Sequence, residues 1–199
     1  MIFTTDSVRR RLRKAALVTS PAAVVLLGLA ASHSAMSQTG GAVMPDANGF
    51  IPRATIVEIM DSMVMPSADV LWNAVGVSVT ENGIVENKPE TDEDWARLRW
   101  SAVTMAEATN ALIIPGRHVA PAGTVQDPND TALSPSQIEA LIAKNRAAWA
   151  GMAHALDAAV LEAIEAIDAH DVDALADVGG TIDTACENCH LVFWYPETQ

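Results

Sequence analysis

The chain is poor in cysteine, in basic residues and in aromatic residues. Its 199 residues include two cysteines, twelve lysines and arginines against twenty-five aspartates and glutamates, five tryptophans, three phenylalanines and one tyrosine. Two cysteines are too few for a zinc site built from four thiolates. The formal charge of −13 at pH 7 argues against nucleic acid or an anionic membrane as a partner.

Catalytic motifs and strand patterns are also missing from the sequence. There is no serine or cysteine nucleophile motif, no phosphate-binding glycine loop and no spaced carboxylate pair that differs from an ordinary solvated face. We therefore predict that the protein is not an enzyme. No segment shows convincing alternation of apolar and polar residues, so the expected fold class is all-α.

The N-terminal region has the order of a secretory signal peptide. A basic cluster within residues 9–14 precedes an apolar run over residues 15–31, and small residues follow it. We predict a signal peptide over residues 1–35, with cleavage ahead of Met36. The apolar run is short for a membrane span and contains a proline, so a retained anchor is the less favoured alternative.

Both cysteines lie in one five-residue motif, Cys186-Glu187-Asn188-Cys189-His190. The pattern Cys-x-x-Cys-His is the attachment signature of a c-type haem. Two thiols on one helical turn can add to the two vinyl groups of one porphyrin, and the adjacent imidazole can bind the iron as proximal ligand. The motif predicts one covalent haem c, held by Cys186, Cys189 and His190.

Two other interpretations of this motif are weaker. A thioredoxin-like redox pair would follow a strand in a βαβ pattern, and nothing β-like precedes Cys186. A zinc site would have to recruit two histidines from distant parts of the chain. An accidental match is the remaining alternative.

Four helical stretches are expected, each with a recognisable start. Thr91 precedes three acidic residues, Ser134 and Gln137 form a capping box, and Asp171 caps the last stretch. Pro66 must kink or restart the first helix. Short connections and abundant alanine favour an antiparallel four-helix bundle with the haem motif on the last helix. The stretches cover residues 52–79, 91–114, 134–169 and 171–196, with a linker at 80–90 and an irregular loop at 115–133.

The last helix contains Gly179-Gly180, which predicts either a break or a close approach by another helix.

This layout resembles the class II c-type cytochromes, namely the cytochrome c-prime family and its low-spin, methionine-ligated relatives. In that family the haem motif lies on the last of four helices, as Cys186 to His190 does here. Phe193 fits the family pattern, whereas Trp194 stands where the family commonly has Arg or Lys. The resemblance implies a four-helix bundle, a homodimer through helix packing, and one of two functions.

Those two functions differ in what faces the iron opposite the histidine. Electron carriers in the family place a methionine sulfur there, whereas gas-binding members leave the position empty behind an apolar residue of the first helix. Met60 and Met63 share a helical face, while Met65 is expected to point away from it. We predict Met60 as the sixth ligand, with Met63 in reserve, and an electron carrier as the function. A five-coordinate protein that binds NO or CO is the alternative, and simple core packing is the ordinary role of methionine at this spacing.

Other residues are weaker candidates for contact with the haem. Three histidines could serve as sixth ligand, although a solvated role is commoner. Three basic side chains could hold the propionates, or could simply lie at the surface. Most tryptophans are expected in the core or against the haem. The histidines are His118, His154 and His170, and the basic side chains are Arg53, Arg117 and His118. The tryptophans are Trp72, Trp95, Trp100 and Trp149.

Export changes the charge of the chain. Residues 1–35 contain five of the twelve basic residues and one of the twenty-five acidic residues. The mature chain therefore keeps seven basic and twenty-four acidic residues, a net charge of −17. Such a surface favours a redox partner with a basic docking patch, although solubility alone also explains it. We expect a periplasmic protein without a membrane span in its mature form. Residues 36–51 would be a flexible segment and residues 52–199 the haem domain.

Overall fold

The computed structural model describes residues 49–81, 83–126 and 131–195. The predicted signal peptide and most of the predicted flexible segment lie outside the described residues. In the described part, no helix has the length and apolar character that a membrane crossing requires.

The described chain is mostly helical, as the sequence predicts. A π-helical segment separates the first two helices, and a short hairpin precedes the third. The helices are α1 Ile56–Ile59, the π-helical segment Met60–Val64, α2 Met65–Trp72, α3 Asp92–Leu112, α4 Pro135–Lys144, α5 Arg146–Asp168 and α6 Val172–Phe193.

The predicted helix starts are confirmed. The Thr91 hydroxyl accepts a hydrogen bond from the Asp94 N–H, and the Asp94 carboxylate accepts one from the Thr91 N–H, which completes a capping box. Ser134 and Gln137 form the same arrangement at α4. Asp171 accepts from the Ala174 N–H at 3.0 Å and begins α6. These caps satisfy backbone donors that a helix leaves unpaired in its first turn.

The third predicted stretch is not one helix. Asn145 adopts φ −124° and ψ 42° between α4 and α5, outside the helical region, and its side-chain amide donates to the Leu141 carbonyl at 3.0 Å. Asparagine readily makes such local bonds to the backbone and so competes with helix continuation. The expectation of an unbroken helix over residues 134–169 is therefore wrong at this one position.

The first stretch ends earlier than predicted, because its last part forms a hairpin. Strands β1 Gly76–Thr80 and β2 Gly83–Asn87 pair antiparallel, with Val79 opposite Ile84. The all-α expectation therefore holds except for this small sheet. Its signal was the Asn-Gly pair at 82–83 between two β-branched runs, a strong hairpin pattern that was read as a linker.

The core lies between the longer helices. α5 packs along both α3 and α6, and α2 packs against α3. Alanines at these contacts, such as Ala102, Ala108 and Ala163, are completely buried. Their small side chains let the helix axes approach closely, which leaves the large residues Trp149 and Phe193 to fill the space beside α6.

Candidate haem site

One wall of a cavity is formed by the haem motif itself. Cys186, Cys189 and His190 all line a cavity of about 230 Å³. They share it because α6 is regular here, and residues three and four apart lie on the same face of an α-helix. We call these three residues the α6 wall.

The opposite wall comes from the first helical stretch. Met60, Val64 and Met65 line the same cavity. In an α-helix, positions 60 and 65 would differ by about 140° around the axis. Here the Met65 N–H donates to the Met60 carbonyl, five residues back, so the two methionines share a face. We call Met60, Val64 and Met65 the first-helix wall.

Pro66 explains why the π turn lies here. Proline cannot donate to the carbonyl four residues earlier, and its ring clashes with that carbonyl in a regular helix. The chain accommodates Pro66 in the first turn of α2, directly after the π-helical segment. The expected kink or restart therefore takes the form of one widened turn.

The π turn changes which methionines face the motif. The expectation that Met65 points away from Met60 is wrong, since both line the cavity and Met65 is 43% exposed at it. Met63, the reserve ligand, instead packs half-buried against the core and does not line this cavity. The sequence signal that could have shown this was Pro66, one residue after Met65.

The rest of the lining is mainly apolar. Aromatic and aliphatic side chains make up most of it, while two carboxylates lie on the α6 side. The apolar group is Trp72, Trp149, Met152, Ala153, Leu156 and Ala185, and the acidic residues are Asp183 and Glu187.

Trp72 connects the two walls. Its indole N–H donates to the Gly179 carbonyl at 3.1 Å. A Cβ added at Gly179 would lie 3.6 Å from the Trp72 ring, so the ring passes directly over the glycine. α6 runs unbroken through this point. Neither role expected for Gly179-Gly180 is observed, because the helix does not break there and it is a side chain, not a helix backbone, that lies against Gly179.

An aromatic cluster packs beside the α6 wall. Trp149 is 1% exposed, and its indole N–H donates to the Leu112 carbonyl at 3.0 Å. Its ring contacts Phe193 edge to face at 5.1 Å and Trp194 in a stacked arrangement at 6.3 Å. Trp194 in turn lies 5.8 Å from the His190 ring. This cluster restricts the positions that the imidazole can adopt.

Burial shifts the protonation of all three motif residues. It raises the pKa of the Cys186 thiol, and the nearby Asp183 charge adds to that effect. Burial and then Cys186 raise the pKa of Cys189 to about 12. Burial lowers the pKa of His190, against the opposing effect of Glu187. The imidazole is therefore neutral at pH 7, which is the form that binds a metal.

The residues present fit a haem in their chemistry. Two thiols, a neutral imidazole and a thioether face one apolar space, which is the donor set of a His/Met-ligated c-type haem. The enclosed volume of about 230 Å³ is below the ~300–1,000 Å³ typical of ligand pockets. The lining side chains must therefore move outward to admit a porphyrin, and Met65, at 43% exposure, is the most exposed of the apolar ones.

The other predicted contacts do not come to this cavity. The Arg117 guanidinium donates to the carbonyls of Ala54 and Ala111, and His118 pairs with Glu139 at 3.2 Å. Arg53 is exposed and does not line the cavity.

The remaining histidines and tryptophans are also elsewhere. His154 is exposed, and His170 stacks on the buried Trp95 at 4.6 Å. Trp100 is 68% exposed, contrary to the expected core position. Of the four tryptophans, only Trp72 and Trp149 line the cavity.

A larger cavity of about 660 Å³ lies between α2, the hairpin and α3. It is lined by no cysteine, histidine or methionine, so it offers none of the donors that the motif requires. Elsewhere too, the described residues contain no group of three or more His, Cys, Asp or Glu side chains arranged to hold a metal ion.

No protein-family model, curated protein or solved structure matches this chain.

Proposed function

We propose that this chain is an exported c-type cytochrome that carries single electrons. Cys186 and Cys189 hold one haem covalently, His190 is the proximal ligand and Met60 the distal ligand. The observation that carries the proposal is that all four side chains line one apolar cavity, although Met60 is more than 120 residues away in the sequence.

The chain's own residues account for the properties that an electron carrier needs. When bound, the haem iron supplies a one-electron couple. The neutral His190 imidazole offers its ring nitrogen without first losing a proton. A thioether from Met60 would favour the ferrous state and block the position that a diatomic gas needs. Val64, Trp72 and Trp149 make the lining of the same space apolar.

The finer architecture belongs to the same proposal. We take α1 with α2, α3, α5 and α6 as the four helices of an antiparallel bundle, with α4 as a shorter preceding helix. The packing of α5 on α3 and α6, and of α2 on α3, supports this arrangement. It is the layout implied by the resemblance to class II c-type cytochromes.

Location and partner follow from the sequence. Covalent haem attachment and the signal-like N-terminus support a periplasmic protein, with residues 52–199 as the haem domain. The acidic surface supports a redox partner that docks through a basic patch. Asp183 and Glu187 are the acidic residues that line the cavity, both on its α6 side.

The distal ligand is tested by substitution of Met60 and of two control methionines. The oxidised protein should show the weak near-infrared band of sulfur bound to ferric iron. Met60→Ala should abolish this band, because the sixth ligand is then lost. Met65→Ala is a matched control on the same wall, and Met63→Ala is a control in the core; both should keep the band.

Other outcomes distinguish a wrong choice of distal ligand from a wrong choice of function. If only Met65→Ala or Met63→Ala removes the band, the electron carrier stands and Met60 is the wrong ligand. If the wild-type protein lacks the band and its reduced form takes up carbon monoxide at once, the gas-binding alternative replaces the electron carrier.

A further inference from the structure

The start of α1 is attached to the loop of residues 117–119, which follows α3. A helix leaves its first N–H groups without partners inside the helix. Here the Ile56 N–H donates to the His118 carbonyl at 2.9 Å, and the Val57 N–H donates to the Val119 carbonyl at 3.0 Å. Two consecutive bonds to two consecutive carbonyls fix both the position and the direction of the helix start. We call residues 117–119 the anchoring loop.

Arg117 connects the anchoring loop to α3 and to the segment ahead of α1. Gly116, with φ +76°, turns the chain after α3, in a conformation that glycine adopts at little cost. The Arg117 guanidinium donates through Nε to the carbonyl of Ala111, in the last turn of α3, at 2.8 Å. Through Nη1 it donates to the carbonyl of Ala54, just ahead of α1. Because a guanidinium holds its donors in a fixed fork, the two bonds set the distance between the end of α3 and the start of α1.

α4 also holds the anchoring loop, through Glu139. One carboxylate oxygen of Glu139 accepts a hydrogen bond from the Val119 N–H at 3.0 Å and lies 3.2 Å from Nδ1 of His118. The Val119 side chain is 1% exposed, so the loop is packed into the core at the same point. The anchoring loop is therefore bonded to α3 and α4 as well as to α1, and a shift of the loop would break these contacts.

α1 depends on such an attachment because it is short. It has four residues and leads directly into the π-helical segment, and a helix of this length is not stable by itself in water. Met60 follows Ile56 by four residues, which is about 6 Å along a helix axis. The position of the Met60 sulfur relative to His190 therefore depends on where α1 begins. Metal–ligand distances vary by only about 0.2 Å, so a small shift of α1 matters.

We propose that Arg117 is a positioning residue for the distal ligand. Through the anchoring loop it fixes the start of α1 and thereby holds Met60 opposite His190. This inference rests on the proposed function, because it takes Met60 as the ligand. Arg117 acts through the backbone of α1 and does not itself line the cavity. The competing explanation is that the buried side chains of Ile56 and Ile59 hold α1 without the loop.

Displacement of the distal ligand by imidazole tests the proposal. Imidazole is titrated into the oxidised holoprotein while the near-infrared band of sulfur bound to ferric iron is followed. Arg117→Met keeps an unbranched stem and removes both bonds, so imidazole should displace Met60 at about a tenfold lower concentration. Arg146→Met is the matched control and should keep the wild-type midpoint. Arg146 also donates to a carbonyl at the end of α3, that of Ile113 at 2.7 Å, but none of its hydrogen bonds within the described chain reaches α1.

Two substitutions of Glu139 give a second series in case Arg117→Met does not fold. Glu139→Ala removes the acceptor for the Val119 N–H and should also lower the imidazole midpoint. Glu139→Gln keeps an oxygen that can accept the same bond, so it should restore the wild-type midpoint. An unchanged midpoint in both Arg117→Met and Glu139→Ala would show that core packing alone holds α1 and would overturn the proposal. An equal fall in Arg146→Met would overturn it as well, because the effect would then be a general loss of stability.

Amide hydrogen exchange, measured by NMR on the reduced protein, separates this proposal from the proposed ligand. The Ile56 and Val57 amides should exchange about tenfold faster in Arg117→Met than in the wild type. The Ile182 amide, inside α6, should keep its rate and so report that the fold is intact. A wild-type protein without the sulfur band would overturn Met60 as the ligand and its positioning by Arg117 with it. If the band is present but the Ile56 and Val57 rates do not change, the ligand stands and the anchoring by Arg117 is wrong.

Discussion

The two walls of the candidate haem cavity are built differently. The α6 wall consists of three residues within five positions of a regular helix. The first-helix wall consists of Met60, Val64 and Met65, which face the cavity together because a π-helical segment widens that turn. On a regular helix, the spacing of a short motif is enough to predict which residues share a face. Where the backbone is irregular, the spacing alone does not predict it.

The supports behind the walls differ as well. The α6 wall rests on the buried Trp149 and Phe193 and on the partly buried Trp194. The first-helix wall is connected to α6 by the hydrogen bond from Trp72 to Gly179 and by limited packing of α2 on α6. We therefore expect substitutions behind the α6 wall to cost more stability than substitutions behind the first-helix wall.

Trp149→Ala should have the largest effect. It removes a side chain that is 1% exposed, its hydrogen bond to Leu112 and its contacts with two aromatic rings. Loss of a large buried side chain lowers the free energy of unfolding by about 3–5 kcal/mol. Denaturant titration measures the change. Trp100→Ala, at a 68% exposed position, should change the free energy by less than about 0.5 kcal/mol.

Trp72→Phe should have a smaller effect, because it keeps a smaller aromatic ring in place and chiefly removes the N–H that donates to the Gly179 carbonyl. One lost hydrogen bond lowers the free energy of unfolding by about 0.5–1.5 kcal/mol. Trp100→Phe serves as the control in the same titration. If Trp72→Phe lowered the free energy of unfolding as much as Trp149→Ala, the two walls would be equally supported and the contrast between them would disappear.

Glu187→Gln should act on the proposed haem rather than on the fold. Glu187 lies on the α6 side of the cavity and acts electrostatically on His190. A nearby negative charge stabilises ferric iron, so its removal should raise the midpoint potential by on the order of 20–60 mV. A redox titration measures the shift. Glu162→Gln, an exposed carboxylate on α5 outside the cavity lining, should leave the potential nearly unchanged.

Asp94→Ala should have the smallest effect on stability, and that effect should depend on pH. Hydrogen bonds from the Thr91 hydroxyl, then from backbone N–H groups, lower the pKa of Asp94 from 3.8 to about 2. Because the folded pKa is the lower one, the carboxylate stabilises the fold above 3.8, and this contribution is lost as pH falls toward 2.

Thermal unfolding at several pH values tests this. Asp94→Ala should lower Tm by about 1–3 °C at neutral pH and reduce the fall of Tm between pH 4 and pH 2. Glu93→Ala removes a charge from the same turn without breaking the capping box, so it should keep the wild-type acid dependence. Equal acid dependence in Asp94→Ala and the wild type would contradict the capping role.

The sequence predicted the parts of this structure that depend on local chemistry. The caps at Thr91, Ser134 and Asp171 and the mostly helical fold follow from short side-chain patterns that act within one turn. The break at Asn145 was missed because asparagine is tolerated inside helices, and only its own backbone angles reveal the interruption.

The candidate site, too, could be predicted only where it depends on local spacing. The motif indicated that Cys186, Cys189 and His190 share a face, and Met60 was chosen for its place before Pro66. Met65 points away from Met60 only under α-helical spacing, whereas the chain forms a π turn here. Trp72 and Gly179 meet from distant parts of the sequence, and no local pattern marks that contact.

The most direct test of the whole account is the fate of the haem when the exported protein is unfolded. The protein should be denatured in acidified organic solvent, and the chain and solvent should then be analysed separately by absorbance and mass spectrometry. The account predicts that the colour stays with the chain and that the peptide containing Cys186 and Cys189 carries the mass of one haem. Haem that passes freely into the solvent, or a chain that carries none, would contradict it.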